Sequence, residues 1–417
     1  MKLFSVTNNN ETCYKTIKFC CFQIKFRSKK LLKKRIKSIE TEIQHLEKTK
    51  QELLKELNDK NELIDFFQSN VEPRTILFIE PNACHGEVLP GMYKYFSDLG
   101  YQVDVIMERK EAELYPFSKI KDSNLRIFSM HLDNILTILK SGFIKQYDYI
   151  YLNTNKIYAK NSITFPSLQK DFLVGSEKIL QMIHDTKYLS EYDRHKTNLL
   201  MLAKLPRTID DVAIINTHYF GEIQFNKKNK IINFITIGNV DSNCKNFNLL
   251  TNTIEQIINK GINNFKVTIV SRTGYLDNIS EKIINYVDFK GRLSYPDLYN
   301  EMEKADFFLP LLDPECEAHN RYVTTGTSGS FQLIYGFLTP CIINSKFASI
   351  PRFNNQNSII YDKNEEFADK MIEAINMSEE NYDKMRSKLK DLADNIYQES
   401  LDNLRKILES AEGKNNE

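Results

Sequence analysis

Two hydrophobic periodicities divide the chain. From Leu32 onward, apolar residues recur in a 4-3 spacing at Leu32, Ile36, Ile39, Ile43, Leu46, Leu53, Leu57 and Ile64, with Lys50 and Lys60 in the missing places. A heptad seam sustained this long predicts a coiled-coil helix. Over residues 31–68 such a helix would be about 57 Å long at ~1.5 Å per residue. Glu40, Glu42, Glu47, Lys48, Glu52 and Lys55 flank the seam as a solvated surface. The seam needs a cover, and a homo-oligomer through residues 31–68 is the simplest one. Ahead of it, residues 12–26 (TCYKTIKFCCFQIKF) partly alternate apolar and polar, which predicts one or two short strands. Asn70, Glu72 and Pro73 close the segment.

Beyond Pro73 the pattern changes to short apolar runs separated by amphipathic stretches. Thr75–Glu80 (TILFIE) is a continuous apolar strand of the kind buried on both faces of a parallel sheet. Met92–Leu99 predicts a helix stopped by Gly100, and Gln102–Met107 the next strand, completing a βαβ unit. Further strands are expected at Leu125–Ser129, Asp148–Leu152 and Val212–Asn216, with helices at Asp133–Lys140 and Glu177–Ile183. The polar stretch 224–230 (QFNKKNK) predicts a linker. A second alternating set follows. Strands are expected at Ile231–Ile237, Phe265–Val270, Tyr286–Phe289, Phe307–Leu312, Cys341–Ile343 and Ser358–Tyr361. Helices are expected at Asn248–Asn259 and Asp297–Lys304, and from the last strand to about residue 411. The expected fold is α/β: two doubly wound Rossmann-like domains preceded by a coiled-coil helix. The divisions are a short β and basic segment at 1–30, the helix at 31–70, domains at 73–223 and 231–378, and a C-terminal helix at 379–417.

Composition narrows the class. The 417 residues are 27% charged and 41% hydrophobic with a net charge of +1, which suits a soluble protein and does not mark a nucleic-acid binder. Seven cysteines without a CxxC pair fit a reduced, cytoplasmic setting. No apolar run approaches the ~18 residues of a membrane span, and the N-terminus lacks the apolar core of a signal peptide. The charge is uneven. Lys25, Arg27, Lys29, Lys30, Lys33, Lys34, Arg35 and Lys37 form a basic run with no acid among them. It is either a solvated helix start or an adhesive patch for the anionic inner face of the plasma membrane.

Candidate chemistry lies at strand ends, where doubly wound folds bind ligands. His85 and Glu87 follow the first strand of the first domain, in PNACHGEVLPG. A histidine there suits a general base, with Glu87 as its orienter or substitute. His184, Asp185, Asn216, Thr217 and His218 are weaker candidates. In the second domain, the turn from Thr324 to Ser330 (TTGTSGS) offers hydroxyls and backbone N–H groups at a helix start, an anion site. No GxGxxG follows the first strand and no GxxxxGK[ST] occurs. Nothing has the spacing of a structural zinc site, and Asp313-Pro-Glu315 only approaches a DxD pair.

Two sequence blocks carry a resemblance. Val287-Asp-Phe-Lys-Gly291, the helix 297–304 and ADFFLPL resemble the donor-domain core of bacterial GT-B glycosyltransferases of surface-polysaccharide (capsule and lipopolysaccharide) biosynthesis. CHGEVLPG with YKYFSDLGYQVDVI resembles their acceptor-domain opening, so the likeness spans roughly residues 73–411. It implies transfer of a sugar from a nucleotide-sugar donor to a hydroxyl of a glycan or lipid-linked glycan, with no cofactor and no metal. It further implies donor contacts at Gly238, Lys245, Ser271, Arg272, Glu317, His319, Thr325, Thr327 and Ser328, with Glu315 on the same loop. Many retaining members carry two glutamates separated by seven residues; here Leu333 falls where the second would lie. That departure keeps open a non-catalytic scaffold of the same fold that assembles through its coiled coil; a third reading is a sugar-nucleotide epimerase or polyol-phosphate transferase on that fold.

Overall fold

The computed structural model describes residues 4–9, 11–19, 22–154, 157, 176–187, 198–206, 208, 212–225, 228–239, 245–271 and 280–414. The chain forms two compact units, Met1–Gln68 and Ser69–Glu417. The first is an antiparallel meander of β1 (Phe4–Asn9), β2 (Tyr14–Phe19) and β3 (Phe22–Arg27), followed by a 40-residue helix, Lys29–Gln68. Residues 12–26 hold two strands, β2 and β3, as expected; β1 adds a third ahead of them, where Asn8 and Asn9 hide its alternation. The Ser28 N–H donates to the Cys13 carbonyl at 2.9 Å and ties the helix start to the sheet.

The second unit holds two parallel sheets. The first runs in the order β10-β9-β8-β7-β4-β5-β6. Its strands are β4 (Thr75–Glu80), β5 (Gln102–Glu108), β6 (Leu125–Met130), β7 (Tyr149–Leu152), β8 (Ile179–Ile183), β9 (Asn198–Met201) and β10 (Ala213–Ile214). Chain order therefore grows outward in both directions from β4, and the order reverses between β4 and β7. Phe78 at the centre packs edge-on against Phe96 and Tyr151. Each such buried ring contributes on the order of 2–3 kcal/mol.

The second sheet pairs β13 (Val287–Gly291), β12 (Phe265–Val270), β11 (Ile232–Ile237) and β14 (Phe307–Phe308). A parallel bridge from Phe308 to Cys341 continues it to the pair β15 (Ile342–Asn344) and β16 (Ile359–Tyr361). Read across, the order is 3-2-1-4-5-6, that of a doubly wound nucleotide-binding sheet.

Two expectations are corrected. Glu177–Ile183 is not a helix: a short 3₁₀ turn, Ser176–Lys178, leads into β8, whose five residues are all buried. Periodicity alone does not separate a short buried strand from a helix. The run Phe307–Leu312 is strand only at its first two residues. Leu309 still donates to the Ile235 carbonyl at 2.8 Å, but Pro310 has no N–H and ends the ladder.

The final stretch is two helices, Phe367–Asn376 and Glu379–Lys414. The second packs on both lobes. Tyr382 and Met385 join the core beneath the second sheet, whereas Leu401, Leu404 and Leu408 join that of the first. The Ser400 hydroxyl accepts from the Asn216 N–H at 3.0 Å, and the Tyr149 hydroxyl donates to the Leu408 carbonyl at 3.2 Å.

Candidate functional site

A cavity of about 370 Å³ opens at the carboxyl edge of the second sheet, beside the reversal between β11 and β14. Gly238 and Asn239 line it at the end of β11, Lys245 and Leu312 line it from neighbouring segments, and Ser328, Gly329 and Ser330 line it at the start of the helix Gly329–Phe337. Gly238 sits at φ +141°, and a Cβ there would lie 2.6 Å from Lys245 Cε. Only glycine lets the lysine stem pass so close to the backbone. Lys245 is 5% exposed, and its Nζ donates to the Pro310 carbonyl at 2.7 Å. The Ser328 hydroxyl caps the helix by accepting from the Ser330 N–H at 3.3 Å. The Phe331 N–H donates to the Ser328 carbonyl at 3.0 Å, and the positive end of the helix faces the cavity through Ser328, Gly329 and Ser330.

The first lobe contributes Glu87 to the same cavity. His85 starts a 3₁₀ turn, Gly86–Val88, from a left-handed backbone at φ 64°. This conformation is costly for a residue with a Cβ and clusters at functional sites. His85 Nδ1 lies 3.6 Å from Glu87 Oε1, an ion-pair distance beyond a hydrogen bond. The His85 ring stacks on His184, with centroids 4.2 Å apart. Burial pulls the His85 pKa down, but Glu87 first, then the charges of Glu80 and Glu111, outweigh it and raise the group above its ordinary value. Glu87 moves oppositely. Burial would raise it, yet His85 and the Tyr295 hydroxyl hold it at about 2. His184 is pushed to about 3 by burial and by His85, and its Nε2 donates to the Asn153 carbonyl at 2.7 Å.

Tyr295, at the start of the helix Tyr295–Lys304 in the second lobe, reaches across. Its hydroxyl lies 3.0 Å from Glu87 Oε2 and 2.8 Å from Glu111 Oε1. One hydrogen cannot serve two carboxylates. Burial and the Glu87 charge raise the Glu111 pKa. The Tyr295 hydroxyl thus ties the Glu87 and Glu111 carboxyls together, donating to one of them at a time. The Gly86 N–H also donates to Glu111 Oε1 at 2.9 Å, and a Cβ at Gly86 would strike that oxygen at 2.4 Å. Neither Tyr295 nor Glu111 stood out in the sequence. Tyr295 lies between Gly291 and the expected helix at 297–304, where a tyrosine at a helix start reads as packing.

The remaining candidates scatter. Arg272 lies outside the described residues. Ser271 is buried at the end of β12, where its N–H donates to the Gly291 carbonyl at 3.2 Å. Glu315 and Glu317 are exposed, while His319 is fully buried with Nδ1 accepting from the Asp313 N–H at 2.8 Å. The Thr325 carbonyl accepts from the Thr186 N–H at 2.6 Å in a strand-like bridge between the lobes. Thr327 lines a separate cavity of about 480 Å³ against the C-terminal helix. Buried His218 pins Asn216 and the Ala393 carbonyl rather than facing the cleft. Of the expected residues, Glu87, Gly238, Lys245 and Ser328 share the cavity, with His85 adjoining.

Comparison with known proteins places this geometry. No protein-family model matches the chain, and no curated protein matches it in sequence. Among solved structures, TarM is similar with 12% identity and a TM-score of 0.52, over 81% of this chain and 99% of TarM. The fold is GT-B. AviGT4, a glycosyltransferase involved in Avilamycin A biosynthesis, matches at 11% identity and TM-score 0.48 over 81% of this chain and 98% of its own. The pneumococcal O-GlcNAc transferase GtfA, in complex with UDP and GlcNAc, matches at 14% identity and TM-score 0.45 over 67% of this chain and 60% of its own. Within the GT-B frame, the two lobes face each other across the cavity that Glu87 and Lys245 line. Leu333 lines it too, an apolar side chain in the cavity wall.

Proposed function

We propose that this chain is a glycosyltransferase. It moves a sugar from a nucleotide-sugar donor to a hydroxyl of a glycan or lipid-linked acceptor, as in bacterial surface-polysaccharide assembly, without a metal. One observation supports this above the others: a first-lobe carboxylate and a second-lobe lysine, glycine and helix N-terminus line one interlobe cavity at a sheet reversal point. The donor diphosphate lies against Lys245 and the positive end of the helix that follows Ser328. As the anomeric C–O bond breaks, its electron pair leaves on the diphosphate, and these fixed positive groups stabilise the growing charge. Gly238 supplies the close backbone approach.

The acceptor oxygen forms the new bond and gives its proton to His85. With Nδ1 facing Glu87, Nε2 is the free nitrogen for this task. A carboxylate held at about 2 is a poor base; Glu87 instead supports the imidazolium that forms. With Leu333 in the cavity wall, no second glutamate serves retention, so the reading is inversion at the anomeric carbon. The basic run from Lys25 to Lys37 would hold the enzyme against an anionic membrane, at about 1 kcal/mol per side chain. Among the described residues no helix is long and apolar enough to cross a membrane.

The test is a screen of labelled sugar nucleotides for hydrolysis, followed by NMR of the released sugar. One donor turned over with inverted configuration, in the presence of chelator, is the expected result. Binding without turnover for every donor would instead support the scaffold reading, which Leu333 favours.

A further inference from the structure

The three-stranded sheet of the N-terminal unit has two unlike faces. Residues directly opposite in an antiparallel pair point the same way. The register aligns Phe4, Phe19 and Phe22 in one row, Val6, Ile17 and Ile24 in the next, and Asn8, Lys15 and Phe26 in the third. Two of the three rows on this face are therefore wholly apolar, and the third adds Phe26 beside Asn8 and Lys15. The other face carries Ser5, Lys18, Gln23, Thr16, Lys25 and Arg27 among its side chains. Within the chain the apolar face is open, with Phe22 73%, Ile24 63% and Phe19 58% exposed. The helix seam beside it is open as well, with Leu46 62% and Leu53 61% exposed. Contiguous apolar surface of this kind marks an interaction site, and so small a sheet needs a cover to be stable.

We propose that a second copy of this chain covers both surfaces. The two sheets pack face to face through the phenylalanine and isoleucine rows, and the two helices run parallel along their seams. A seam with heptad spacing fits another helix. Only Ser28 separates sheet from helix, so a second copy presents both surfaces in the same arrangement. A lipid surface would cover the sheet but not a helix about 60 Å long with charges on both flanks. Thirteen large apolar side chains of this unit's face and seam are about half exposed. At roughly 100 Å² each they exceed the ~800 Å² per partner of an ordinary interface. Lys18, Lys25 and Arg27 lie on the outer faces of such a sandwich, and Lys15, in the third row beside Phe26, is the one basic side chain of the inner face. Lys60 is neutralised by Glu56 at 2.9 Å, and Lys50 is the polar seam position that fixes register. This inference stands apart from the sugar-transfer reading.

Light scattering and sedimentation of the full chain across a dilution series test it. Wild type should weigh about twice the 48.8 kDa chain. Phe22→Glu with Ile24→Glu should weaken association at least tenfold, and Lys18→Glu with Lys25→Glu should leave it within about twofold. Circular dichroism and melting of the main unit control for folding. Should the glutamates unfold the sheet, Phe22→Thr with Ile24→Thr keeps strand propensity and should give the same loss. A monomeric wild type, equal effects from both faces, or an undiminished dimer in the apolar-face variants overturns the proposal. So does a monomer that binds vesicles through Phe22 and Ile24.

Discussion

At the reversal of the first sheet, between β4 and β7, the protein fills the space beyond the strand ends itself. Glu80 is fully buried there and accepts from the Asn82 N–H at 2.8 Å, from Asn153 Nδ2 at 2.7 Å and from the Thr154 hydroxyl at 3.1 Å. Asn153 also donates to the His85 carbonyl at 2.8 Å, so this plug holds the backbone of the proposed base. At the matching reversal of the second sheet, between β11 and β14, a glycine replaces such a plug and a cavity remains. One topology thus serves two tasks. The first lobe spends its strand ends on positioning a histidine, and the second leaves them open to an anion.

Substitutions can break this division, and the largest effect is expected on the first lobe. His85→Ala should lower turnover about 10²–10⁴-fold while leaving donor affinity near wild type, since it removes only proton transfer. Equal losses in rate and donor affinity would merge the two tasks. On the second lobe, Gly238→Val places a side chain against Lys245 and should weaken donor binding about 10–100-fold, or roughly 1.4–2.8 kcal/mol by calorimetry. Acceptor affinity should be unchanged.

Tyr295→Phe probes the link between the lobes. It removes a hydrogen bond that lowers the Glu87 pKa, so the Glu87 carboxylate protonates at higher pH and the acid limb of the rate profile should move upward. Leaving Glu111 with fewer partners should cost about 1–3 kcal/mol of stability. A profile superimposable on wild type would make the tyrosine mere packing.

The smallest effect concerns the plug. Burial raises Glu80 to about 8 despite its three donors and the nearby His85. Between its unfolded value near 4.5 and about 8, the unfolded chain has lost this proton and the folded chain keeps it. Stability therefore falls as pH rises through that window and levels off above it. Glu80→Gln should melt with a flatter pH dependence from pH 5 to 8. Parallel slopes would place a charged Glu80 in the folded protein.

Much of this comparison was legible in the residues. TILFIE read correctly as β4, and the loop after it as the place for His85 and Glu87, because a buried strand and its exit carry strong local signals. Gly238 and Ser328 were likewise marked by residue type at an element end. The misses share one cause. Glu111 and Tyr295 lie 184 positions apart and meet only through lobe packing, which leaves no local pattern. Thr325 and Thr327 looked like phosphate ligands by composition, yet the bridge at Asp185 and Gly326 engages that stretch with the first lobe instead. Glu80 looked like the last residue of a strand, and its three partners come from loops that only the sheet order brings together.

The most direct measurement is calorimetric titration of UDP, GDP and CDP into wild type and Lys245→Met. The account predicts that one of them binds wild type and that the volume-conserving loss of the buried charge weakens it at least tenfold, about 1.4 kcal/mol. Binding of none, or equal binding by both proteins, would contradict an anion site on the second lobe.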